Sequence, residues 1–296
     1  MNQPAGLTLD IAGHLTGYDP IAAMWSPPWR HQVLHVLLAS YQATAFAMVA
    51  IHAALLLRDR TSGLHRKALA IALSLGGLAA VAQPISGDAS AKAIARQQPI
   101  KLAGAEAHFT SGPRAPLEVG GFADVDRRRV DGAIRIPGGL SFLAFNDVDA
   151  PVIGLDAFPR ADWPPVRELH LAFDAMVGTG TAMALIAVLA AALALRRRAL
   201  PDARWFLRLL VASGPLGVVA LESGWLVTEW GRQPWIVRGA MRTADAVTSF
   251  PYKAAPFWLF TITYLFLGAV VVYLLWRQIV SSHHAGVSAP EPGRAV

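Results

Sequence analysis

Long apolar stretches, separated by short charged segments, dominate the chain. A bilayer core about 30 Å thick is crossed by about 20 apolar residues in a helix. Segments that approach or exceed this length are 32–57, 68–85, 168–195, 205–229 and 256–279. The second is the shortest, since Pro84 and Gly87 favour a helix end close to residue 85. The pattern therefore predicts an all-α integral membrane protein with about five transmembrane helices.

The composition agrees with this pattern. The chain has 54% hydrophobic and 16% charged residues and a mean hydropathy of +0.41, which is too apolar for an ordinary soluble protein. Its net charge of +6 is not accompanied by the basic and aromatic surface pattern of nucleic-acid-binding proteins, so we expect no nucleic-acid partner. The first thirty residues lack a basic start followed by an apolar core, so they do not resemble a signal peptide.

Basic residues in the short loops predict the orientation. The loops "RDRTSGLHRK" and "RRRALPDAR", after the first and third helices, are rich in arginine and lysine and should face the cytoplasm. The N-terminus is then outside and the C-terminus inside. The predicted parts are an extracytoplasmic segment 1–30, helices 1 and 2 within 31–85, a long extracytoplasmic loop 86–165, helices 3 to 5 within 166–280, and a cytoplasmic tail 281–296.

The chain contains no cysteine. This excludes disulfides, thiolate-bound metals, iron–sulfur clusters and covalent haem attachment through a Cys-x-x-Cys-His motif. Any bound cofactor must be held by histidine, methionine or carboxylate side chains.

The long loop is too rich in apolar stretches to be a linker, and a structureless loop of this length is unusual unless it is functional. We expect it to fold, with a helix near "QQPIKLAGAEAHF" (97–109). Lys101 and Glu106 are five residues apart in this helix, which puts them on different faces. They are either solvated surface charges or part of a polar wall around a ligand headgroup.

Several polar or potentially ligating residues lie within the predicted spans. An ionisable group in lipid costs a few kcal/mol, about 2.5–3.5 kcal/mol at a helix centre, so each is a functional candidate. His35, Met176 and Glu229 could share one layer near the outer surface, where a haem would fit. Asp174 is next to this layer, and Glu222 is seven residues from Glu229 on the same helix face. The alternative is that His35 is a helix–helix hydrogen-bond partner and Met176 a packing residue. Other candidate histidine ligands are His52, His65, His170, His283 and His284.

The motif "GWLVTEWGRQPW" (224–235) strongly resembles the end of a late helix in subunit I of cytochrome bd quinol oxidases. Four further stretches resemble the same family in the same order: "HVLLASYQATAF", "GDASAKAIARQQPIKLAGAEAHF", "DAPVIGL" and "AFDAM". Together they extend from residue 31 to about 240. On this resemblance, the chain is identified as a shortened member of the cytochrome bd quinol (ubiquinol) oxidase subunit I family.

The resemblance implies roles for six residues. His35 and Met176 correspond to the axial ligands of a low-spin haem b, which takes electrons from quinol. Lys101 and Glu106 correspond to loop residues for quinol binding and oxidation, and Glu106 is a candidate proton acceptor. Glu229 corresponds to an iron ligand of a second, high-spin haem b, and Arg232 would balance that carboxylate or the haem propionates. Haem d and the kind of quinone are left open.

Two departures from the family pattern matter. Family members usually have four more helices before the first helix found here, and these carry a histidine haem ligand and a proton route. Asp174 stands where the family commonly has arginine, two positions before Met176. Its negative charge should lower the potential of the low-spin haem, unless Arg232, Arg238 or a partner compensates.

Three functions remain open at this point. The chain is a component of a quinol oxidase in the bacterial inner membrane, with a subunit II-like chain and a separate chain that supplies the missing helices. Alternatively, it is a haem b subunit that passes electrons from quinol to another acceptor without reducing oxygen. The third function is that of a non-catalytic paralogue that packs in an oxidase complex. Retention of His35, Met176, Lys101, Glu106 and Glu229 together argues against the third, and retention of Glu229 favours the first.

Overall fold

Five long helices form most of the structure. The computed structural model describes residues 5–10, 15–249 and 251–287. Its helices are α1 (Pro20–Met24), α2 (Trp29–Arg58), α3 (Gly63–Gln97), α4 (Pro99–Ala105), α5 (Gly139–Phe145), α6 (Val166–Arg197), α7 (Arg204–Trp230) and α8 (Ala254–Val287). Of these, α2, α3, α6, α7 and the Ala254–Ser281 part of α8 are long and apolar enough to span a membrane. The predicted all-α membrane fold with five spanning helices is confirmed.

The second spanning helix is longer than the sequence predicts. Helix α3 continues through Pro84 to Gln97, twelve residues beyond the predicted end, so the first part of the predicted loop 86–165 is helical. An internal proline removes one backbone hydrogen bond, but extensive packing of α3 against α2 supports the helix. With 35 residues, α3 is about 52 Å long, which exceeds the thickness of a bilayer core.

Helices α2, α3, α6 and α7 form an antiparallel bundle, in which α2 packs against α3 and α7 and α6 also packs against both. Small residues allow close approach of the helices. A Cβ atom added to Gly217 of α7 would lie 2.6 Å from Ala43 Cα of α2, and one added to Gly76 of α3 would lie 2.7 Å from Ala45 Cβ. Because α2 and α6 each pack against both α3 and α7, they lie at opposite corners of the bundle and run parallel to each other.

The largest apolar cluster of the described residues lies in one half of the bundle, and a smaller cluster around Leu169 and Val227 lies in the other half. The fully buried members of the larger cluster include Phe46 of α2, Leu69 of α3, Met183 of α6, and Phe206 and Leu210 of α7. They lie at the level of the C-terminal parts of α2 and α6 and of the N-terminal parts of α3 and α7. Helix α8 stands apart, because none of its most apolar 18-residue window is buried by the described residues.

The segment between α3 and α6 is folded, as the sequence predicts. We call residues 98–165 the flap and the end of the bundle that carries it the flap end. The flap contains α4, α5 and two antiparallel strand pairs, β3 (Leu117–Val119) with β6 (Ile134–Ile136) and β4 (Phe122–Asp124) with β5 (Arg129–Asp131). Two small apolar clusters hold α4 and α5 against these strands.

Short strand pairs also occur outside the flap, which the sequence did not predict. They are β1 (Leu7–Leu9) with β2 (Leu15–Tyr18), and β7 (Trp235–Val237) with β8 (Met241–Arg242). Arg242 of β8 donates a 2.6 Å hydrogen bond to Asp162 of the flap, so the segment after α7 is attached to the flap. Of the predicted tail 281–296, residues 288–296 lie outside the described residues, as do residues 1–4 and 11–14 of the predicted segment 1–30.

Candidate functional site

Helix α4 brings the two flap candidates into the protein interior. Pro99 starts the helix, where a missing backbone N–H costs nothing. Every residue from Ile100 to Ala105 is buried, and the exposed fractions of Lys101 and Glu106 are only 6% and 4%. The interpretation of Lys101 and Glu106 as solvated surface charges is therefore wrong, because α4 is enclosed by the flap and the ends of α6 and α7.

Lys101 lies against the turn that follows α7. A Cβ atom added to Gly231 would be 2.8 Å from Lys101 Cε and 2.9 Å from Lys101 Cγ, so only glycine leaves room for this side chain. Burial lowers the pKa of Lys101 to about 8; the Glu229 carboxylate opposes this shift and the Arg232 guanidinium adds to it. The lysine thus connects the flap to the "GRQPW" turn.

Glu106 faces the first turns of α6. Burial and, to a smaller extent, the negative charge of Asp174 together raise the pKa of Glu106 to about 8. Its Oε1 is buried with no hydrogen-bond partner among the described residues. A buried carboxyl group with this pKa can release and take up a proton near neutral pH.

Asp174 has a local partner that the sequence analysis missed. His170, one turn earlier on α6, places its Nε2 3.4 Å from Asp174 Oδ2, and its Nδ1 lies 2.8 Å from the carbonyl oxygen of Ala105. Since a carbonyl accepts, His170 donates through Nδ1. The i, i+4 spacing of the two side chains was the available signal. Arg232 and Arg238, the suggested compensating charges, interact with Glu229 and Asp162 instead.

His35 and Met176 lie at the same level of the bundle on opposite corners. Gln42 of α2 approaches Met183 of α6 at 3.6 Å, and both residues are seven positions, about 10 Å, farther from the flap end than His35 and Met176. Seven residues return a helix to nearly the same face. The two side chains are therefore at matching positions on parallel helices.

A glycine lies beside each of the two side chains. A Cβ atom added to Gly224 of α7 would lie 3.1 Å from Met176 Sδ, and one added to Gly87 of α3 would lie 3.7 Å from His35 Cε1. His35 Nδ1 is buried without a hydrogen-bond partner among the described residues. An imidazole with one unpaired ring nitrogen and a thioether are side chains of the kind that ligate a haem iron.

Glu229 is near this layer and is already engaged. It forms an ion pair with Arg232, three residues later, and both side chains are about one-third exposed. Glu222 is on the same helix face, but it is exposed and does not belong to the group formed by Glu229 and Arg232. The carboxylate of Glu229 and the guanidinium of Arg232 are a donor set that suits a haem iron and its propionates, respectively.

Two of the other candidate histidines, His52 and His65, lie away from this group. His52 and His65 approach each other at 3.3 Å between their Nδ1 atoms, near the end of the bundle opposite the flap. The side chains of His283 and His284 lie outside the described part of the chain. Within the described residues, no cluster of three or more histidine and carboxylate side chains has the geometry of a metal site.

The chain is similar to known respiratory proteins over almost its whole length. Residues 1–283 match the profile of a family described as cytochrome bd terminal oxidase subunit I. A putative cytochrome bd menaquinol oxidase subunit I of Bacillus subtilis is 38% identical over 92% of this chain and 62% of its own length. Subunit 1 of the cytochrome bd-II ubiquinol oxidase of Escherichia coli is 26% identical over 94% of this chain and 67% of its own length.

A solved structure has the same fold. The bd oxidase from Geobacillus thermodenitrificans superimposes with a TM-score of 0.84 and 37% sequence identity, over 93% of this chain and 63% of the solved chain. The present chain thus spans a little under two thirds of the length of the first of these relatives and of the solved chain.

Proposed function

The chain belongs to the cytochrome bd terminal oxidase subunit I family, and we propose that it carries the quinol-oxidising part of a bd-type oxidase. Five membrane-spanning helices and bacterial relatives make it a multi-pass protein of the bacterial inner membrane, and haem is the cofactor normal to the family. In our proposal, the flap end faces outward. Quinol is oxidised there, and electrons pass through a low-spin haem b toward an oxygen-reducing site.

The observation that carries this proposal is the burial of Lys101 and Glu106 on one short helix. Two ionisable side chains that are almost inaccessible to water are costly unless they serve a ligand or each other. Glu106 has a carboxyl oxygen without a partner, and Lys101 extends toward Glu229 and Arg232. A quinol has two hydroxyl groups and needs a proton acceptor and a donor of hydrogen bonds, which these side chains supply.

Each residue has a distinct task in the proposed reaction. Glu106, in its ionised form, accepts a proton from one quinol hydroxyl. Lys101 donates a hydrogen bond to a quinol oxygen and stabilises the negative charge that grows as the proton leaves. His35 and Met176 would hold the haem b, which supplies a one-electron acceptor when bound. Protons released on the outer side while electrons enter the membrane contribute to a proton-motive force.

Partner chains belong to the same proposal. The relatives extend well beyond the region matched here, and we include a subunit II-like chain and a chain that contributes the further helices. Two features of the described residues support a surface that a partner chain covers. Glu222 is exposed on a spanning helix, where an acidic side chain facing lipid costs about 2.5–3.5 kcal/mol at the membrane centre. Helix α8 has no buried residues in its most apolar window.

One observation favours the alternative, an electron-transfer subunit that does not reduce oxygen. The Glu229 carboxylate is engaged by Arg232 within the same chain. If this ion pair persists in the complex, Glu229 is not available to the iron of a high-spin haem b.

These functions are separated by a reduced-minus-oxidised absorption spectrum of the purified membrane complex. Haem extraction and identification of the copurifying chains complete the experiment. A low-spin haem b together with high-spin haems and a second chain is the expected result. Low-spin haem b alone would establish the alternative. A complex without haem would contradict both and leave the non-catalytic paralogue.

A further inference from the structure

Gln83 of α3 reaches His35 of α2 with two contacts from one amide nitrogen. Its Nε2 lies 3.0 Å from His35 Nε2 and 3.3 Å from the carbonyl oxygen of His35. An amide nitrogen carries two hydrogens and can serve both atoms. We propose that Gln83 is a positioning residue that orients the His35 imidazole for a haem iron and tunes the potential of that iron. This inference rests on the proposed function of His35 as a haem ligand.

The chemistry of metal-bound histidine requires such a partner. One ring nitrogen binds the metal, and the other holds a hydrogen whose acceptor fixes the ring orientation and sets the basicity of the ligand. Among the described residues, Gln83 is the hydrogen-bond partner of the His35 ring, and the remaining ring nitrogen, Nδ1, is buried without one. One nitrogen of the ring is thus held and the other is left for a further ligand.

The amide can hold the ring in both protonation patterns that this role needs. As described, the Gln83 nitrogen donates to His35 Nε2, and the Gln83 Oε1 is buried with no partner among the described residues. Half a turn about the last side-chain bond exchanges the amide nitrogen and oxygen. The oxygen then accepts the ring N–H in exchange for the hydrogen bond to the His35 carbonyl oxygen, which leaves a lone pair on the opposite ring nitrogen for the iron.

The location of Gln83 favours a specific role over general packing. It lies one turn before Gly87, where an added Cβ atom would be in ordinary van der Waals contact with His35 Cε1 at 3.7 Å. Gln83 and Gly87 therefore lie on the same side of this imidazole, and Gln83 supplies the hydrogen-bonding group. An apolar residue at position 83 would pack in a bilayer-spanning helix at lower cost than a glutamine whose amide oxygen has no partner.

Opposite substitutions at this position should shift the haem in opposite directions. Gln83→Leu removes the acceptor for the ring hydrogen, so the imidazole becomes a weaker electron donor and the midpoint potential of the low-spin haem rises. Gln83→Glu supplies a stronger acceptor, which makes the imidazole more basic and lowers the midpoint potential. Loss of such a partner typically weakens metal binding by about 10- to 100-fold, so Gln83→Leu should also lose haem more readily on dilution.

The experiment is a redox titration of the low-spin haem absorbance in the full membrane complex. Gln42→Leu is the matched control, since Gln42 is a buried glutamine of α2 that contacts Met183 rather than His35. We expect a higher potential in Gln83→Leu, a lower one in Gln83→Glu and the wild-type value in Gln42→Leu.

Three results would overturn the inference. The first is an equal shift of the midpoint potential in all three variants, and the second is an unchanged potential in both Gln83 variants. The third is equal haem loss from Gln83→Leu and Gln83→Glu while Gln42→Leu keeps its haem. His35→Ala distinguishes this failure from failure of the proposed function. If the low-spin spectrum survives His35→Ala, the ligand assignment itself is wrong; if it disappears while the Gln83 variants keep the wild-type potential, only the role of Gln83 is wrong.

Discussion

Replacing Glu106 by glutamine tests the proton-acceptor role that we propose for this residue. The substitution keeps the size of a side chain that is only 4% exposed and removes its ability to ionise. General-base catalysis typically contributes about 100- to 10,000-fold to a rate, so quinol oxidation should slow by at least about 100-fold at pH 8. The low-spin haem spectrum should be retained, because Glu106 lies on the flap rather than beside His35.

The raised pKa of Glu106 predicts the direction of the pH dependence. Burial, followed by the charge of Asp174, raises this pKa to about 8, so the ionised form that accepts a proton becomes more abundant as the pH rises through 8. With that pKa, the ionised fraction is roughly 0.1 at pH 7 and roughly 0.9 at pH 9. The rate that depends on Glu106 should therefore increase about tenfold between these pH values.

Lys101 titrates in the same range, since its pKa is lowered to about 8. The informative quantity is therefore the ratio of the wild-type rate to the Glu106→Gln rate, because the lysine is common to both proteins. The assay is stopped-flow reduction of the low-spin haem by quinol in the anaerobic membrane complex.

Glu168→Gln, at an exposed position in the first turn of α6, is the matched control and should behave as wild type. A wild-type rate in Glu106→Gln, or a ratio that is constant between pH 7 and pH 9, would refute the reasoning.

Three further predictions concern the haem layer and the turn after α7. His35→Ala should abolish the low-spin haem absorbance, and an intact spectrum would exclude His35 as a ligand. Gly231→Ala places a Cβ atom 2.7 Å from the carbonyl oxygen of Val227 and 2.8 Å from Lys101 Cε, so the turn and the lysine must shift apart and the KM for quinol should rise severalfold with the spectrum unchanged. Gly268→Ala is its control, because among the described residues no atom beyond its own helical backbone lies within 4 Å of the added Cβ; equal KM values would refute the packing argument. Asp174→Asn removes a negative charge and should raise the potential of the low-spin haem in a redox titration. An unchanged potential would contradict an electrostatic effect of Asp174 on the haem.

The sequence predicts the spanning helices well because their length and apolar character are properties of each segment alone. It does not predict the end of α3, because Pro84 is a local signal for a helix end, whereas the packing of α3 against α2 is a tertiary contact. The short strand pairs are also missed. Each strand has only two to four residues, too few for an alternating pattern to stand out.

The candidate site shows the same limit. Sequence motifs identify Lys101 and Glu106, but spacing alone favours two solvated charges on different helix faces. Their burial results from the flap and the ends of α6 and α7, which come from distant parts of the chain. The contact between Gln83 and His35 joins residues 48 positions apart, and no local pattern relates them. By contrast, the His170 and Asp174 pair is visible as an i, i+4 spacing.

The most direct test of the central claim is anaerobic addition of quinol to the purified membrane complex while the absorbance of the low-spin haem b is followed. Quinol alone should reduce the haem to nearly the extent reached with dithionite, and Glu106→Gln should slow this reduction without changing the extent reached with dithionite. A haem that dithionite reduces but quinol leaves oxidised would contradict the claim that this chain oxidises quinol.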